Sequence, residues 1–527
     1  GSFPQNSWVD GTPFWTGVQL DQTAFPIMLA LKTGRTSLAL YTAHIKPAAD
    51  FLLANVPTTG MERWEENAGF SPSTIAAEVG GLVAGAKIAE LNGDRPARDR
   101  YLDRADYLQA MVPNWTFTAG GPSGDHRYFE RLDATGDPTD ARLLTLGNGG
   151  GTHDERTILD AGFLELVRNG VTAPEDPYVA DSLAESDDQL KQIVPGKGAY
   201  WYRYQHDGYG EKMDGSSYDG TGSGRLWPLL SGERGHYEVA NGRDPGPALT
   251  AMRSATGGGL MIPEQIWDAR APAGATPGTP TRSMSPLAWS MAEYVDLAVS
   301  AYDKQIADVL PVVRDRYVKN AFSPDPAKAV DWNAGHARQG DALTIYYNGR
   351  LRASTGLKLH WGVDGWTAGT VGDKPMERRS GGGWQTTVSV PTNASRIDMA
   401  FTDGTAWDNN TGLDYHAPIA TSVHQPYTKP VDTFPSPPVK GQPLSIYYSG
   451  PLAVDPATRA VSLHSGYDGW AAGSVGDKAM VRRADGTWET TITMPADHDT
   501  LDLAFFSNTG AWDTNRGADW HRSLTQR

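Results

Sequence analysis

Trp64-Glu65-Glu66-Asn67, continued through Gly69-Phe70 into Ser71-Pro72-Ser73-Thr74-Ile75-Ala76-Ala77-Glu78, sets two adjacent carboxylates beside an indole just ahead of a helix start. Ser71 suits the N-cap and Pro72 the first helical position, where a missing N–H costs nothing. Ile75, Val79, Leu82 and Val83 recur at helical spacing, and Ala76, Ala77, Gly80, Gly81, Ala84 and Gly85 occupy the faces between them. A helix this apolar and small-sided is buried among other helices. The first part of the chain is therefore expected to be a packed helical body with the Glu pair at its mouth. A Glu pressed against Trp there loses hydration, and its pKa rises toward general-acid use. The tetrapeptide alone reads equally as a solvated Glu pair beside a core Trp.

The length of 527 residues calls for about two to four domains. Hydrophobic content of 39% and charged content of 20% fit soluble globular material. A net charge of −16 argues against nucleic acid or anionic membrane as partner, and no apolar run approaches the length that spans a bilayer. The absence of cysteine rules out disulfides, thiolate metal sites and Cys nucleophiles. Seventeen Trp and 21 Tyr against 13 Phe point to carbohydrate binding or to a large aromatic core, because both side chains join a stacking face to a polar handle.

Trp15, Gln19 and Asp21 lead into an expected helix over Thr23 to Leu31, and further helices are expected over Tyr41 to Asn55, Arg95 to Met111, Asp154 to Arg168 and Tyr178 to Ile193. Asn92-Gly93 is a helix stop. The long loop from Gly196 to Trp227 carries Trp201, Arg203, Tyr209, Tyr218, Arg225 and Trp227, and a loop so aromatic is functional rather than disordered. Glu264 lies between Pro263 and apolar neighbours, an odd setting for a merely solvated carboxylate. Ser285-Pro286 repeats the cap-plus-proline start, opening a helix through Trp289 and Tyr294, and the helical part ends near Phe322. Beyond it the period changes. Leu343-Thr344-Ile345-Tyr346-Tyr347 recurs as Leu444-Ser445-Ile446-Tyr447-Tyr448, His360…Asp364-Gly365-Trp366 as His464…Asp468-Gly469-Trp470, and Trp407-Asp408 as Trp512-Asp513. This is a tandem duplication of a small β domain, with a proline-rich linker between the copies.

Taken together in order, the opening stretch, Trp64-Glu65-Glu66, the Arg225 loop and Pro263-Glu264-Gln265 resemble glycoside hydrolase family 15, the glucoamylases, from residue 1 to about Tyr317. The two β repeats resemble starch-binding modules of carbohydrate-binding module family 25. The resemblance implies a barrel of paired helices, of (α/α)6 type, followed by two β-sandwich modules. The domains expected are 1–322 for the helical part, 338–425 for the first module, 426–441 for the linker and 442–527 for the second module. It also implies that Glu65 is the general acid, Glu264 the general base that activates water, and Glu66 a contact to sugar hydroxyls. Trp15 matches the family's stacking Trp, Arg225 a sugar-binding Arg, and Trp64, Arg203, Trp201, Tyr218 and Trp227 further substrate contacts. In the modules it implies binding by His360, Trp366 and Trp407, and by His464, Trp470 and Trp512, with Trp384 and Trp488 left to the cores.

Inverting hydrolysis needs one protonated and one ionised carboxyl with water between them, and Glu65 and Glu264 supply such a pair. There is no Gly-x-Ser-x-Gly elbow and no His/Cys cluster at metal spacing, so no metal and no cofactor is expected. His153-Asp154-Glu155 reads as an acidic helix start rather than a metal site. The family's upstream Trp-x-Arg-Asp motif has no counterpart in the chain, and too few helices are predicted for a complete barrel. The expectation is a C-terminal portion of a longer, secreted enzyme, with that enzyme's N-terminal part as a partner. The expected activity is exo-acting, inverting release of glucose from starch and maltooligosaccharides. The rivals are a glucodextranase or trehalase on the same fold, and a non-catalytic starch-binding protein.

Overall fold

The computed structural model describes the chain except for residues 15–16, 319–323, 325–327, 334–336, 338–341, 380, 392–393, 420–429, 435–437, 439, 441–442, 456, 483–486 and 525–527. Trp15 and much of the stretch 426–441 thus lie outside the described residues. Two compact units divide the chain, Gly1–Phe322 and Ser323–Arg527. Among the described residues no helix is long and apolar enough to cross a membrane.

The helix announced by Ser71-Pro72 runs from Pro72 to Leu91 and is buried over almost its whole circumference. Its glycines are gaps for neighbouring helices. A Cβ on Gly80 would come within 2.9 Å of the Met28 methyl, one on Gly81 within 2.8 Å of Ala24 Cβ, and one on Gly85 within 3.1 Å of Ala49 Cβ. The helices Leu20–Lys32 and Lys46–Asn55 therefore pack almost backbone to backbone against it. Gly81→Val is expected to destabilise the helical unit by about 1–3 kcal/mol, because the Ala24 backbone cannot yield as a flexible side chain would. Calorimetric melting of the helical unit checks this; an unchanged melting temperature would contradict the close approach. Ser71 occupies the N-cap position, but its hydroxyl pairs with that of Ser73 at 3.1 Å instead of capping an N–H. At the other end Gly93 takes φ 77°, and Asp94 caps the following helix, Arg95–Thr116, by accepting from the Ala97 N–H at 3.2 Å.

Several expected helices are shorter or different. Of the stretch predicted as a helix over Asp154 to Arg168, Asp154 ends a strand, Gly151–Asp154, paired with Leu143–Leu146, Glu155–Thr157 is a 3-10 turn, and only Leu164–Arg168 is α-helical. The predicted helix to Ile193 stops at Leu190, and Lys191–Val194 enters a three-stranded antiparallel sheet with Gly198–Tyr202 and Leu226–Trp227. Helices Pro228–Ala240 and Gly246–Ser254 were not anticipated; neither shows a long apolar run. Helix Ala288–Asp303 begins just after Ser285-Pro286 without a side-chain cap.

Each β module is a sandwich of two antiparallel sheets. In the first, Ala342–Tyr347 lies between Trp384–Ser389 and Val330–Trp332, while Lys358–Val363 lies between Gly372–Pro375 and Arg396–Thr402. Alternation sends Leu343, Ile345 and Tyr347 inward against Leu359, Trp384, Val388 and Phe401. The second module repeats this arrangement around Leu444, Ile446, Tyr448, Leu463, Trp488 and Phe505. Trp384 and Trp488 are core residues, as expected. The boundaries expected for the first module and the linker need correction. Val330–Trp332 lies ahead of residue 338 yet belongs to the first sandwich, and Val431–Phe434, inside the stretch read as linker, is an edge strand of the second.

Candidate active site

The loop bearing the Glu pair is closed by backbone bonds between Thr59 and Gly69, 3.0 Å from the Thr59 N–H to the Gly69 carbonyl, and is pinned from below by Glu62. Glu62 is fully buried; it accepts from Arg131 Nη2 at 2.6 Å and from the Trp64 N–H at 2.9 Å. Trp64 is buried too, its indole N–H donating to Asp160 at 3.2 Å and its ring lying 5.5 Å from that of Trp227 and 5.9 Å from that of Trp289. With the residues on both sides fixed, the loop turns at Glu65, which has φ 65° and is exposed. A left-handed non-glycine residue costs about 1–2 kcal/mol, and such strain is concentrated at functional sites. Glu65 opens onto a cleft of about 480 Å³ whose wall also carries Gln5, Gln19, Asp21, Arg63 and Trp289. Asp21 is raised to about 6 by its burial there.

The desolvation that the sequence reading assigned to the carboxylate beside Trp64 falls on Glu66. Burial raises the Glu66 pKa despite the opposing pull of Arg203 and Arg131. Its Oε1 accepts from Arg203 Nη2 at 3.1 Å and Asn148 Nδ2 at 3.0 Å, and its Oε2 accepts from Tyr204 and, at 3.4 Å, Arg131. Arg203 is the hub of this region. Asp207 grips its Nε at 2.9 Å and its Nη2 at 2.7 Å, and the guanidinium carbon lies 4.8–5.4 Å from the ring centres of Tyr209, Tyr204, Trp64 and Trp227. The Tyr209 hydroxyl donates to Glu264 Oε1 at 3.2 Å, and its ring meets that of Tyr218 edge-on at 5.1 Å. Glu264 is half-buried, and burial raises its pKa while the Tyr209 bond opposes the rise. Trp64, Glu66, Arg203, Tyr218, Trp227 and Glu264 are thus joined through Arg203 and Tyr209.

Two residues assigned to the substrate are instead built into the frame. Arg225 is fully buried; its nitrogens donate to the carbonyls of Glu211 and Lys212 at 2.7–3.1 Å and to Asp268 at 2.9 Å, leaving nothing for a sugar. Asp268 follows Glu264-Gln265-Ile266-Trp267, and the Ile266 N–H bonds the Leu226 carbonyl at 2.9 Å, so Arg225 fixes the segment that presents Glu264. Trp201 is buried opposite Trp227 in the sheet, with its indole N–H spent on Asp187 at 3.0 Å. Asn148, Tyr204, Asp207 and Tyr209 were not picked out as site residues. Asp207, one loop turn beyond Arg203, carried a readable signal; Asn148 among glycines carried none.

The modules bring their expected residues together twice. His360 stacks at 5.1 Å on Trp366 and meets Trp407 edge-on at 5.3 Å; His464 lies 5.1 Å from Trp470 and 5.2 Å from Trp512. Trp407 and Trp512 are 48% and 52% exposed, so roughly one face of each is free for a ligand. Alternation explains this orientation, since the next residue in each pair points inward: Asp408 accepts from Tyr347 at 2.6 Å and Asp513 from Tyr448 at 2.7 Å. Gly362 and Gly466 let the other indole lie flat on the sheet, where a Cβ would come within 3.1 Å of Trp366 and 2.7 Å of Trp470. Among the described residues no group of three or more His, Asp or Glu could hold a metal.

Residues 1–304 match the glycosyl hydrolases family 15. The chain belongs to that family. Residues 343–399 and 444–503 match the starch/carbohydrate-binding module family 53, in place of the family 25 suggested by the sequence resemblance; a starch-type module is common to both readings. Over 318 residues the family 15 chain is 45% identical to the glucoamylase of Clostridium sp. (strain G0005), covering 60% of this chain and 44% of that protein. A solved bacterial glucoamylase complexed with acarbose is 44% identical, with a TM-score of 0.57 over 60% of this chain and 46% of that one. An alpha-amylase of Clostridium acetobutylicum is 37% identical over 188 residues, 35% of this chain and 24% of that protein. The chain spans less than half the length of these relatives.

Proposed function

We propose that the protein is an exo-acting, inverting glucan 1,4-α-glucosidase that works outside the cell, releasing β-D-glucose from the non-reducing ends of starch and maltooligosaccharides while the two modules hold it to starch. The observations that carry this reading are that, in a family 15 chain, Glu65 is exposed on a left-handed loop tip beside the cleft and Glu264 is half-buried and held by Tyr209. Glu65, which makes no side-chain bond among the described residues, gives a proton to the glycosidic oxygen. Glu264, ionised, takes one from the attacking water on the opposite face of the sugar. Arg203 Nη1 has no bond to the described protein, whereas its Nε and Nη2 are held by Asp207 and Glu66, so it is a pre-oriented donor for a sugar hydroxyl. Glu66 fixes that donor and offers its exposed edge to the same sugar, and Tyr218 and Trp227 wall the site through Tyr209.

Tyr209→Phe tests the base. The Tyr209 O–H favours the ionised carboxylate, so its removal raises the Glu264 pKa further. Activity requires ionised Glu264, and the acid limb of the kcat/KM profile is expected to move to higher pH. An acid limb that stays in place, or moves lower, would separate Glu264 from the base role. A substrate panel of maltotriose, dextran and trehalose tests the linkage; fastest turnover of dextran or trehalose would replace the glucoamylase reading.

A further inference from the structure

We infer that His416 and His521 are positioning residues of the two carbohydrate sites, each clamping the stacking tryptophan from two sides, His521 as an imidazolium. The inference rests on the reading of Trp366 and Trp470 as α-glucan platforms. Each of these tryptophans ends a run of three left-handed residues: Asp364, Gly365 and Trp366 have φ 51°, 81° and 62°, and Asp468, Gly469 and Trp470 have 51°, 74° and 63°. Such a run does not hold itself. In the first module the buried Asp398 accepts from the Gly365 N–H at 2.6 Å and the Trp366 N–H at 3.1 Å, and Asp414 accepts the indole N–H at 2.9 Å. In the second, Asp502 accepts from the Trp470 N–H at 2.7 Å and Asp519 accepts its indole N–H at 3.0 Å. One aspartate therefore holds the backbone and another, in a separate turn, holds the ring.

The histidine ties the two together. His416 lies directly across the strand pair from Asp398, as His521 does from Asp502. His416 Nδ1 is 2.6 Å from Asp398 Oδ1, and its Nε2 is 3.0 Å from the Leu413 carbonyl, next to Asp414. His521 Nδ1 is 2.6 Å from Asp502 Oδ1, and its Nε2 is 3.1 Å from the Ala518 carbonyl, next to Asp519. Both partners of the His521 ring are acceptors, and a neutral imidazole has a single N–H; only the imidazolium makes both bonds. The Asp502 bond accordingly raises the His521 pKa.

The charges around the two histidines differ. Asp398 also accepts from Arg396 Nε at 2.7 Å, and Glu489 lies 3.8 Å from Arg396 Nη1; burial would raise Asp398, but His416 and Arg396 outweigh it and hold its carboxyl below the ordinary range. The second module has Thr500 where the first has Arg396, so His521, facing Asp502 and Asp519, is the cation bonded to Asp502 among the described residues. Loss of the proton as pH rises then releases the second platform, while Arg396 keeps part of the first in place.

The probe is β-cyclodextrin, a ring without a chain end for an exo-acting cleft, titrated calorimetrically into the full chain from pH 5 to pH 9. Trp366→Ala isolates the second site and Trp470→Ala the first. The second site is expected to weaken about tenfold as pH rises, the loss of one charge-assisted bond, and the first site by less. His521→Gln in the Trp366→Ala chain is expected to bind weakly at every pH, which separates its contribution from those of His464, held by Asp477 at 2.5 Å within the site, and His498, held by Asp468 at 2.7 Å at the start of the same left-handed run. A flat profile for the second site, or a slope that survives His521→Gln, overturns the clamp. If Trp366→Ala with Trp470→Ala still binds the ring, the reading of the platforms fails as well, and that outcome is told apart by the double variant alone.

Discussion

Glu65→Gln and Glu264→Gln are each expected to lower kcat by about 10²–10⁴, assayed on maltooligosaccharides in the protein as the organism makes it. Glutamine keeps the size of the side chain and removes only the ability to give or take a proton. Among the described residues Glu65 makes no side-chain bond that a glutamine would break, and the bond Glu264 accepts from Tyr209 is one the glutamine oxygen can still accept. Folding should therefore survive, and the melting temperature is the control. If the two residues carry different halves of one displacement, as proposed, combining the substitutions should cost far less than the product of the single losses. The sugar first released should be the β-anomer, seen by NMR before mutarotation. Near-normal turnover in either single variant, or α-glucose appearing first, would contradict the assignment.

The second large effect belongs to the modules. Trp366→Ala or Trp470→Ala should remove most of the retention on granular starch, and the two together should abolish it. Two sites on one chain gain about 10²–10⁴ in overall affinity when both reach the same granule, and loss of either returns the protein to the weak binding of a single platform. Turnover of short soluble oligosaccharides should be nearly unchanged. Pull-down with raw starch reads the effect directly; if the double variant sediments with the granules as well as the parent does, these indoles do not form the binding surface.

What could be read from the sequence followed the range of the interactions. The helix at Pro72 was legible because its capping residues, period and small faces are all local. The module sites were legible because duplication repeats His, Trp and Trp on the same framework, with the inward Asp408 and Asp513 marking which residue of each pair faces out. The family resemblance puts Arg225 ahead of Arg203 as the sugar-binding Arg, and the structure reverses that order; both sit in one aromatic loop, and a loop has no period to show direction. Their difference is tertiary: Arg225 meets Asp268 and Arg203 meets Glu66, each far along the chain. Val431–Phe434 holds no proline itself, but Pro430 and Pro435 bracket it in the sequence, and a short run so bounded reads as linker. Burial of Glu66 rather than Glu65 turned on a single left-handed residue, which no pattern of side chains announces.

The glycines beneath Trp366 and Trp470 have a consequence for which part of a glucan the modules can take. With one indole packed against the sheet and the second tryptophan half-exposed at its side, each proposed site presents its ring faces as a ledge. A ledge grips a polymer along its flank, so it engages any stretch of a long α-glucan and leaves the ends untouched. Ends are what an exo-acting enzyme consumes. If the chain has the exo-acting function proposed, anchoring and hydrolysis draw on different parts of the same molecule, and the anchor does not compete with catalysis for the one terminus that each chain offers.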